Sequence, residues 1–337
     1  MKVPIRLAFW AFTASLLATG CESGQVVDPE NRSGGGKASV SSERYSDWSD
    51  PVTLGPLINS AFNDQQPALS KDGLSLYFAS NRPTNASDAV PDQNIWVAQR
   101  ACTGGCAWTT VDVLPAVNTE FLDASPSLSR DGHQLFFTSQ RPHGHCSPPA
   151  TQCTNRDLWV SYRENVQNNF GWQDAVNLGD GINSSEEEVA PSYFENDDAG
   201  APQLFFNRGE LVGDIYTSRL TNGVWSAATE VSEVNGDFSD QRPSISHDGK
   251  ELYFWSNRPS TEGGPLTPQI WLARRQGVDD PWFAPQLVPA PISGAETIMP
   301  FIHSHGRTET LLFVRPFSPV ISRDLWMSER TRSKGSE

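Results

Sequence analysis

The sequence predicts an all-β protein, a five-bladed β-propeller of four-stranded antiparallel blades. Three observations carry this prediction: a composition rich in turn formers and aromatic residues, a sequence pattern that returns five times, and a spare strand at the N-terminal end. The chain of 337 residues contains 26 Gly, 25 Pro and 11 Trp, which favours short strands and many turns over a helix bundle. Its formal net charge of -15 excludes a broad basic surface for nucleic acid.

The repeated pattern opens with an acid that is followed three or four residues later by proline. An aromatic strand ending in arginine comes next, then a strand opening with an aliphatic–aromatic pair, then a strand led by tryptophan. The copies recur at intervals of roughly 50–65 residues. Their opening acids are Asp64, Asp123, Glu188, Asp240 and Glu296, and their leading tryptophans are Trp48, Trp108, Trp172, Trp225 and Trp282.

Four short strands per copy make one antiparallel blade, which buries both its faces only within a ring of blades. Three copies carry a Ser-x-Asp-Gly turn after the first strand, at residues 70–73, 129–132 and 246–249. The last copy ends without its outer strand, whereas residues 48–54 supply a strand before the first acid. Joining the two closes the ring without a free edge, so we predict five blades, with six as the alternative.

The first copy reads DQQPALSKDGLSLYFASNRP over residues 64–83. This motif resembles the TolB-type β-propeller repeat, the Pro-Asp relative of the WD repeat, and the resemblance covers residues 47–330. The third and fifth copies depart from it at the turn, over residues 195–200 and 303–306. The resemblance implies a module whose one face docks envelope proteins or peptides.

The N-terminal residues 1–20 have the features of a secretory signal peptide, with Lys2 and Arg6 before an apolar run too short to span a bilayer. Small residues then precede Cys21, an arrangement that resembles the lipobox of bacterial lipoproteins, in which the cysteine is acylated. The alternative is an ordinary signal peptide with an incidental cysteine. Residues 21–46 are predicted to form a lipidated flexible tether, because they contain almost no large apolar groups, and residues 331–337 a disordered tail.

The expected location follows from these N-terminal features. The resemblance to lipoproteins implies a chain anchored in the bacterial cell envelope, touching the membrane only through its lipid. Glu22 after the cysteine favours the outer membrane, facing the periplasm or the surface.

Strand direction places the acid and the arginine of each copy at the same end of a blade. One interpretation is structural, with each arginine pairing with an acid to hold the crossing loop. These arginines are Arg82, Arg141, Arg208, Arg258 and Arg315. The other interpretation is a rim that binds a cation or a basic partner, formed by Asp64, Asp123, Glu188 and Asp240. An asparagine five residues before each of these acids fits either role, at Asn59, Asn118, Asn183 and Asn235.

The four remaining cysteines form two close pairs, Cys102 with Cys106 and Cys146 with Cys153. In an exported protein such pairs predict two local disulfides. The alternative is a zinc site that adds His143 and His145, although structural zinc sites pair their cysteines more tightly. We expect neither a metal nor another cofactor.

Catalytic signatures are scarce in this sequence. There is no Gly-x-Ser-x-Gly elbow and no His-Glu-x-x-His helix, and the inner strands contain no acid beyond the opening one. No catalytic residue is therefore predicted, and the chain is expected to be a monomeric, non-catalytic scaffold for an envelope protein, a peptide or a glycan. The alternative is a carbohydrate-binding or carbohydrate-active propeller (hydrolase or lyase), which a close pair of inner-strand carboxylates would favour.

Overall fold

The structure is a computed structural model that describes residues 45–84, 92–142, 155–196, 200–209, 212–317 and 322–333. The predictions for the signal peptide and for Cys21, residues 21–44 of the predicted tether and residues 334–337 of the predicted tail lie outside the described residues. The same holds for the predicted pair of Cys146 with Cys153 and for the alternative zinc ligands His143 and His145.

Each copy of the repeat forms one antiparallel blade, and in the first four blades the strands are hydrogen-bonded in chain order from the ring axis outwards. The first blade consists of β2 (Asp64–Leu69), β3 (Ser75–Ser80), β4 (Asn94–Arg100) and β5 (Trp108–Val113). The second consists of β6 (Asp123–Leu128), β7 (Gln134–Ser139), β8 (Asp157–Tyr162) and β9 (Val176–Asn177).

The third blade consists of β10 (Glu188–Phe194), β11 (Gln203–Arg208) and β12 (Asp214–Thr221), and its outer position is shared by β13 (Val224–Trp225) and β14 (Thr229–Glu230). The fourth consists of β15 (Asp240–Ile245), β16 (Glu251–Ser256), β17 (Gln269–Arg274) and β18 (Gln286–Leu287). The fifth consists of β19 (Ile298–His305), β20 (Thr308–Phe317), β21 (Ser322–Thr331) and the N-terminal β1 (Val52–Thr53).

The ring closes through β1, the strand that the repeat pattern left over. It pairs antiparallel with β21, where Val52 lies opposite Met327 and Thr53 opposite Trp326. The backbone of Ser49 adds a bond to Glu329 O of 2.9 Å, and Trp48 packs into the core between the fourth and fifth blades. The predicted five-bladed ring with N-terminal closure is confirmed.

An irregularity recurs in every inner strand, at the residue before the proline. The pairing register with the second strand shifts there, and the residue adopts a positive φ of 52–57°. Neither the bulged residue nor the proline that follows it has a partner in the second strand. The missing N–H of the proline therefore removes no hydrogen bond between the two strands. The five bulged residues are Gln66, Ser125, Ala190, Arg242 and Met299.

The core lies between neighbouring blades. The second strand of the first blade carries two adjacent, fully buried aromatic residues, which point to opposite faces of the sheet. Tyr77 packs against Leu135 and Phe137 of the second blade, whereas Phe78 packs against Ile298 and Leu312 of the fifth. Each blade thus buries both faces only because it has two neighbours. Within the described ranges, no helix is long and apolar enough to cross a membrane.

Candidate functional site at the acid face

The two ends of the ring present different chemistry. The acid face is the end at which the inner strands begin, with the loops that enter them and the loops between second and third strands. The turn face is the opposite end, where the Ser-x-Asp-Gly turns lie. The candidate rim predicted from the sequence, Asp64, Asp123, Glu188 and Asp240, lies at the acid face.

The carboxylate of Asp64 holds together the loop that enters the first blade. Its Oδ1 accepts a hydrogen bond from Arg82 Nη2 at 2.6 Å, and its Oδ2 accepts from Ser60 N at 2.5 Å and Ser60 Oγ at 2.8 Å. Arg82 also donates to Ile58 O in the same loop. The Asp64 side chain is 0% exposed, so its carboxylate contacts these partners and not solvent.

Three further blades repeat this contact, and in each the acid side chain is fully buried. The ion pairs join Arg141 to Asp123 at 2.7 Å, Arg208 to Glu188 at 2.6 Å, and Arg258 to Asp240. Burial raises the pKa of Glu188, although Ser184 and Arg208 oppose that shift. Buried carboxylates neutralised by arginine are the geometry that the structural interpretation requires, and they leave little negative potential for a cationic partner.

The fifth blade differs from the other four. Glu296 is exposed, and Thr297 occupies the position three residues before the proline. Arg315 donates to Thr297 Oγ1 at 3.4 Å and to the carbonyls of Pro291 and Ile292 at 3.0 and 2.8 Å. Arg315 therefore holds its loop without the acid partner that the sequence pattern suggested.

The repeated asparagines connect each of these entry loops to the third strand of the preceding blade. Asn59 Nδ2 donates to Leu325 O at 3.0 Å, and Leu325 N donates to Asn59 Oδ1 at 2.9 Å. The same two-way contact joins Asn118 to Ile95, Asn183 to Leu158, and Asn235 to Ile215. Each asparagine satisfies one backbone N–H and one C=O, which makes it part of the scaffold of this face.

The central channel is too narrow for a sugar ring. Its cavity has a volume of about 40 Å³, which is room for about one water molecule. Ser125 bridges the channel, since its N–H donates to Gln66 Oε1 at 2.9 Å and its Oγ accepts from Arg242 Nη1 at 3.0 Å. Among the described lining residues there is no carboxylate. A ligand larger than a few atoms must therefore bind on a face of the ring.

Two partly buried aspartates with raised pKa values lie at the acid face, and neither was predicted from the sequence. Burial raises the pKa of Asp324, and the negative charge of Asp64 raises it further. Burial likewise raises the pKa of Asp214, with additions from Glu230 and Asp240. The available signal was an aspartate directly before the aliphatic–aromatic pair that opens a third strand. Such groups keep their protons to higher pH than ordinary aspartates, as a general acid requires.

Partly exposed aromatic side chains lie on the entry loops of the same face. Phe62, Phe121 and Phe238 each lie two residues before a buried acid, on the entry loops of three blades. Phe62 is 37% exposed and the other two are partly exposed. Nearby, the exposed Arg323 donates from Nη1 to Gln65 Oε1 at 2.9 Å. The face thus combines apolar ring surfaces with polar groups.

The predicted disulfide between Cys102 and Cys106 is present, in the loop between β4 and β5. In the part of the chain that the structure describes, no group of three or more His, Cys, Asp or Glu side chains is arranged to hold a metal ion.

Comparison with known proteins identifies related folds but no relative by sequence. No protein-family model matches the chain, and no curated protein does. The catalytic domain of the GH62 alpha-L-arabinofuranosidase of Coprinopsis cinerea matches with a TM-score of 0.55 and 11% identity, over 87% of this chain and 98% of that one. An alpha-L-arabinofuranosidase of Podospora anserina in complex with cellotriose matches with a TM-score of 0.54 and 12% identity, over 85% and 97%.

A third solved structure is the GH43_1 enzyme of Xanthomonas citri in complex with xylotriose. It matches with a TM-score of 0.52 and 14% identity, over 82% of this chain and 89% of that one. At such low identities the likeness establishes the fold, a five-bladed ring shared over most of each chain.

These comparisons correct two expectations from the sequence. The TolB-type assignment is wrong, because the structural neighbours are five-bladed glycoside hydrolase propellers. The acid, proline, turn and arginine of the repeat stabilise the structure of a blade. Every propeller is built from such blades, so these residues do not distinguish one propeller family from another. The expectation of a non-catalytic scaffold falls with it, and the carbohydrate-active alternative is the better supported. The absence of inner-strand carboxylates was a poor criterion, since the channel is too narrow for a sugar.

Proposed function

We propose that this chain is a carbohydrate-active propeller that binds a neutral oligosaccharide across the acid face. The observation that carries the proposal is the match of nearly the whole ring to propellers described as arabinofuranosidases and as an enzyme complexed with xylotriose. The narrow channel and the exposed aromatic loops indicate where on this ring a sugar fits.

The aromatic loops supply the apolar part of such a site. Sugar rings present C–H groups on their faces and hydroxyls at their edges, so they pack against aromatic rings and bond to polar groups around them. Phe62, Phe121 and Phe238 offer the ring surfaces on three entry loops. The exposed Arg323, held by its bond to the buried Gln65, offers hydrogen-bond donors on the same face.

Asp324 is the candidate proton donor for glycosidic bond cleavage. It is partly buried, its pKa is raised by burial and by Asp64, and it follows Arg323 directly in the chain. A carboxyl group with a raised pKa can protonate the leaving oxygen of a glycosidic bond while water attacks the anomeric carbon. Asp64 is engaged by Arg82 and Ser60, so its role is to raise the pKa of Asp324.

The proposal is tested by calorimetric titration with xylotriose and cellotriose, together with chromatography of the products after long incubation. We expect binding that weakens at least tenfold when Phe62→Ala and Phe238→Ala are combined. The matched control is Phe170→Ala, because Phe170 is 46% exposed on the turn face. Failure of both sugars to bind, or equal weakening by the control, would overturn the proposal.

The chemical step has its own test. Asp324→Asn should abolish product formation and leave the dissociation constant of xylotriose within about threefold. The amide has nearly the same shape as the carboxyl group and still forms hydrogen bonds, but it has no acidic proton to transfer. Asp112→Asn, on an exposed position of β5, is the matched control and should leave the rate unchanged. Unchanged cleavage by the Asp324 variant would remove it from the proposed chemistry.

A further inference from the structure

The turn face carries a basic cleft that the proposed function does not use. Its volume is about 360 Å³, and its lining comes from the turns of the first, second, fourth and fifth blades. Because turns of four blades meet in it, the cleft lies across the axis of the ring. Its positively charged side chains are those of Lys71, Arg130, Arg307 and Arg332, with His247 and His305 beside them.

The Ser-x-Asp-Gly turns explain why cations meet here. In the first turn, Ser70 Oγ donates to Asp72 Oδ1 at 2.6 Å, and Leu74 N donates to the same oxygen at 3.0 Å. The turns at Ser129 and Ser246 repeat the serine–aspartate bond at 2.6 Å. Each aspartate is thus occupied within its own turn. The residue between serine and aspartate points outwards, and it is Lys71, Arg130 or His247.

The cations in the cleft outnumber the available carboxylates. Within the described residues, Lys71 and Arg130 form no ion pair. The two acids that line the cleft are Asp248, bonded to Ser246 and to Lys250 N, and Glu309, which is held by Arg330 and Tyr45. Arg307 donates to Arg332 O, a neutral group. The cleft therefore has an excess of positive charge in a chain whose formal net charge is -15.

The pKa of His247 is affected by this positive charge. Burial lowers its pKa, and the cations Arg130 and Lys71 lower it further, while Asp248 raises it. Lys71, Arg130 and His247 all line this cleft, so the turns of three blades bring them together.

We propose that this cleft binds a compact ligand that carries two or more phosphate or carboxylate groups. Oxyanions are the ligands that clustered lysine and arginine side chains recognise. The cleft is large enough for more than one such group, and its cations come from separate blades. The acidic remainder of the chain repels long polyanions, so a compact ligand fits better than a nucleic acid or an anionic membrane.

The test is calorimetric titration of the whole protein at low salt with pyrophosphate and with trigalacturonate, the second being an acidic counterpart of a neutral trisaccharide. We expect at least one of the two to bind, with an affinity that falls as salt rises. Which of them binds distinguishes a phosphate from a carboxylate ligand. The combined Lys71→Gln and Arg130→Gln changes should weaken that binding at least tenfold without altering Tm, because both side chains are exposed.

The matched control is Lys250→Gln. Lys250 is an exposed cation directly after the Ser-x-Asp-Gly turn of the fourth blade, and it does not line the cleft. This variant should bind as the unaltered protein does. The proposal is overturned if neither anion binds, if the double variant binds normally, or if the control weakens binding equally. None of these outcomes depends on whether xylotriose binds the opposite face, so the two proposals fail separately.

Discussion

Four buried carboxylates at the acid face show how one residue can hold a loop, a strand end and an arginine together. In each, the acid accepts hydrogen bonds from the entry loop and from arginine, and the arginine reaches a loop carbonyl. The guanidinium groups also lie over aromatic rings, as Arg141 does at 5.0 Å from the centroid of Phe137 and 5.1 Å from that of Trp159. Removing the acid leaves a mostly buried cation whose remaining partners are neutral.

The first prediction concerns that cation. Asp123→Asn should reduce the free energy of unfolding by about 3–5 kcal/mol, because Arg141 stays buried without its counter-charge. At about 2–4 °C for each kcal/mol, calorimetry will detect the fall in Tm. Asp112→Asn, an exposed aspartate on the first blade, should leave Tm unchanged. If the two variants melt alike, the acid–arginine contact does not stabilise the fold.

A second prediction uses the raised pKa of Glu188. In the folded protein its carboxyl holds its proton to higher pH than in the unfolded chain. The contribution of Glu188 to stability must then fall as pH rises from the ordinary glutamate pKa to the raised one, and be constant outside that window. Glutamine does not titrate, so the free energy of unfolding of the unaltered protein minus that of the Glu188→Gln variant, measured in urea, should fall as pH rises through this window. A constant difference across the window would contradict this cause.

Single residues were partly predictable from the sequence. The acids, arginines and asparagines were visible because they recur at fixed spacing. Asp324 and Asp214 were not, because their significance comes from burial and from acids on a neighbouring blade, which no spacing reveals. The replacement of an acid by Thr297 was missed because Glu296 stands next to it in the sequence.

At the scale of elements, the N-terminal strand is the one that joins the two ends of the chain. Beyond the pairing of β1 with β21, Leu54 N donates to Leu325 O at 3.1 Å, and Ser328 Oγ donates to Ser49 O at 2.6 Å. Trp48, 8% exposed, covers the core between the fourth and fifth blades. This short segment therefore supplies both an edge and a core side chain to the last blade.

Deleting residues 47–54 should therefore lower Tm sharply and promote aggregation, because β21 would present an unpaired edge and the core would lose Trp48. Removing residues 22–42, which lie outside the described residues, is the control and should leave Tm unchanged. Scanning calorimetry with light scattering reports both effects. Equal Tm values for the two deletions would show that the ring does not depend on this closure.

The elements followed from the sequence more fully than the site did. Period, turn residues and the leftover strand determined the blade count, because every blade must bury two faces. The shared outer position of β13 and β14 in the third blade was not foreseen, since the tryptophan that leads it, Trp225, lies in a separate two-residue strand.

At the scale of the whole molecule, the ring has two faces of different chemistry. The channel between them is too narrow for a sugar to enter. Aromatic ring surfaces and a partly buried carboxyl lie at the acid face, whereas the cations Lys71 and Arg130 lie in the cleft of the turn face. Whole-chain charge did not reveal this difference, because a net charge of -15 says nothing of where the cations gather. We propose from this difference that a neutral oligosaccharide binds at the acid face.

Hydrogen–deuterium exchange of the protein with and without saturating xylotriose tests that claim most directly. We expect slower exchange in the entry loops over residues 59–63, 118–122 and 235–239 and around Asp324, with the Ser-x-Asp-Gly turns unchanged. Slower exchange confined to the turns at residues 70–73, 129–132 and 246–249, or no change at a concentration where calorimetry shows binding, would contradict it.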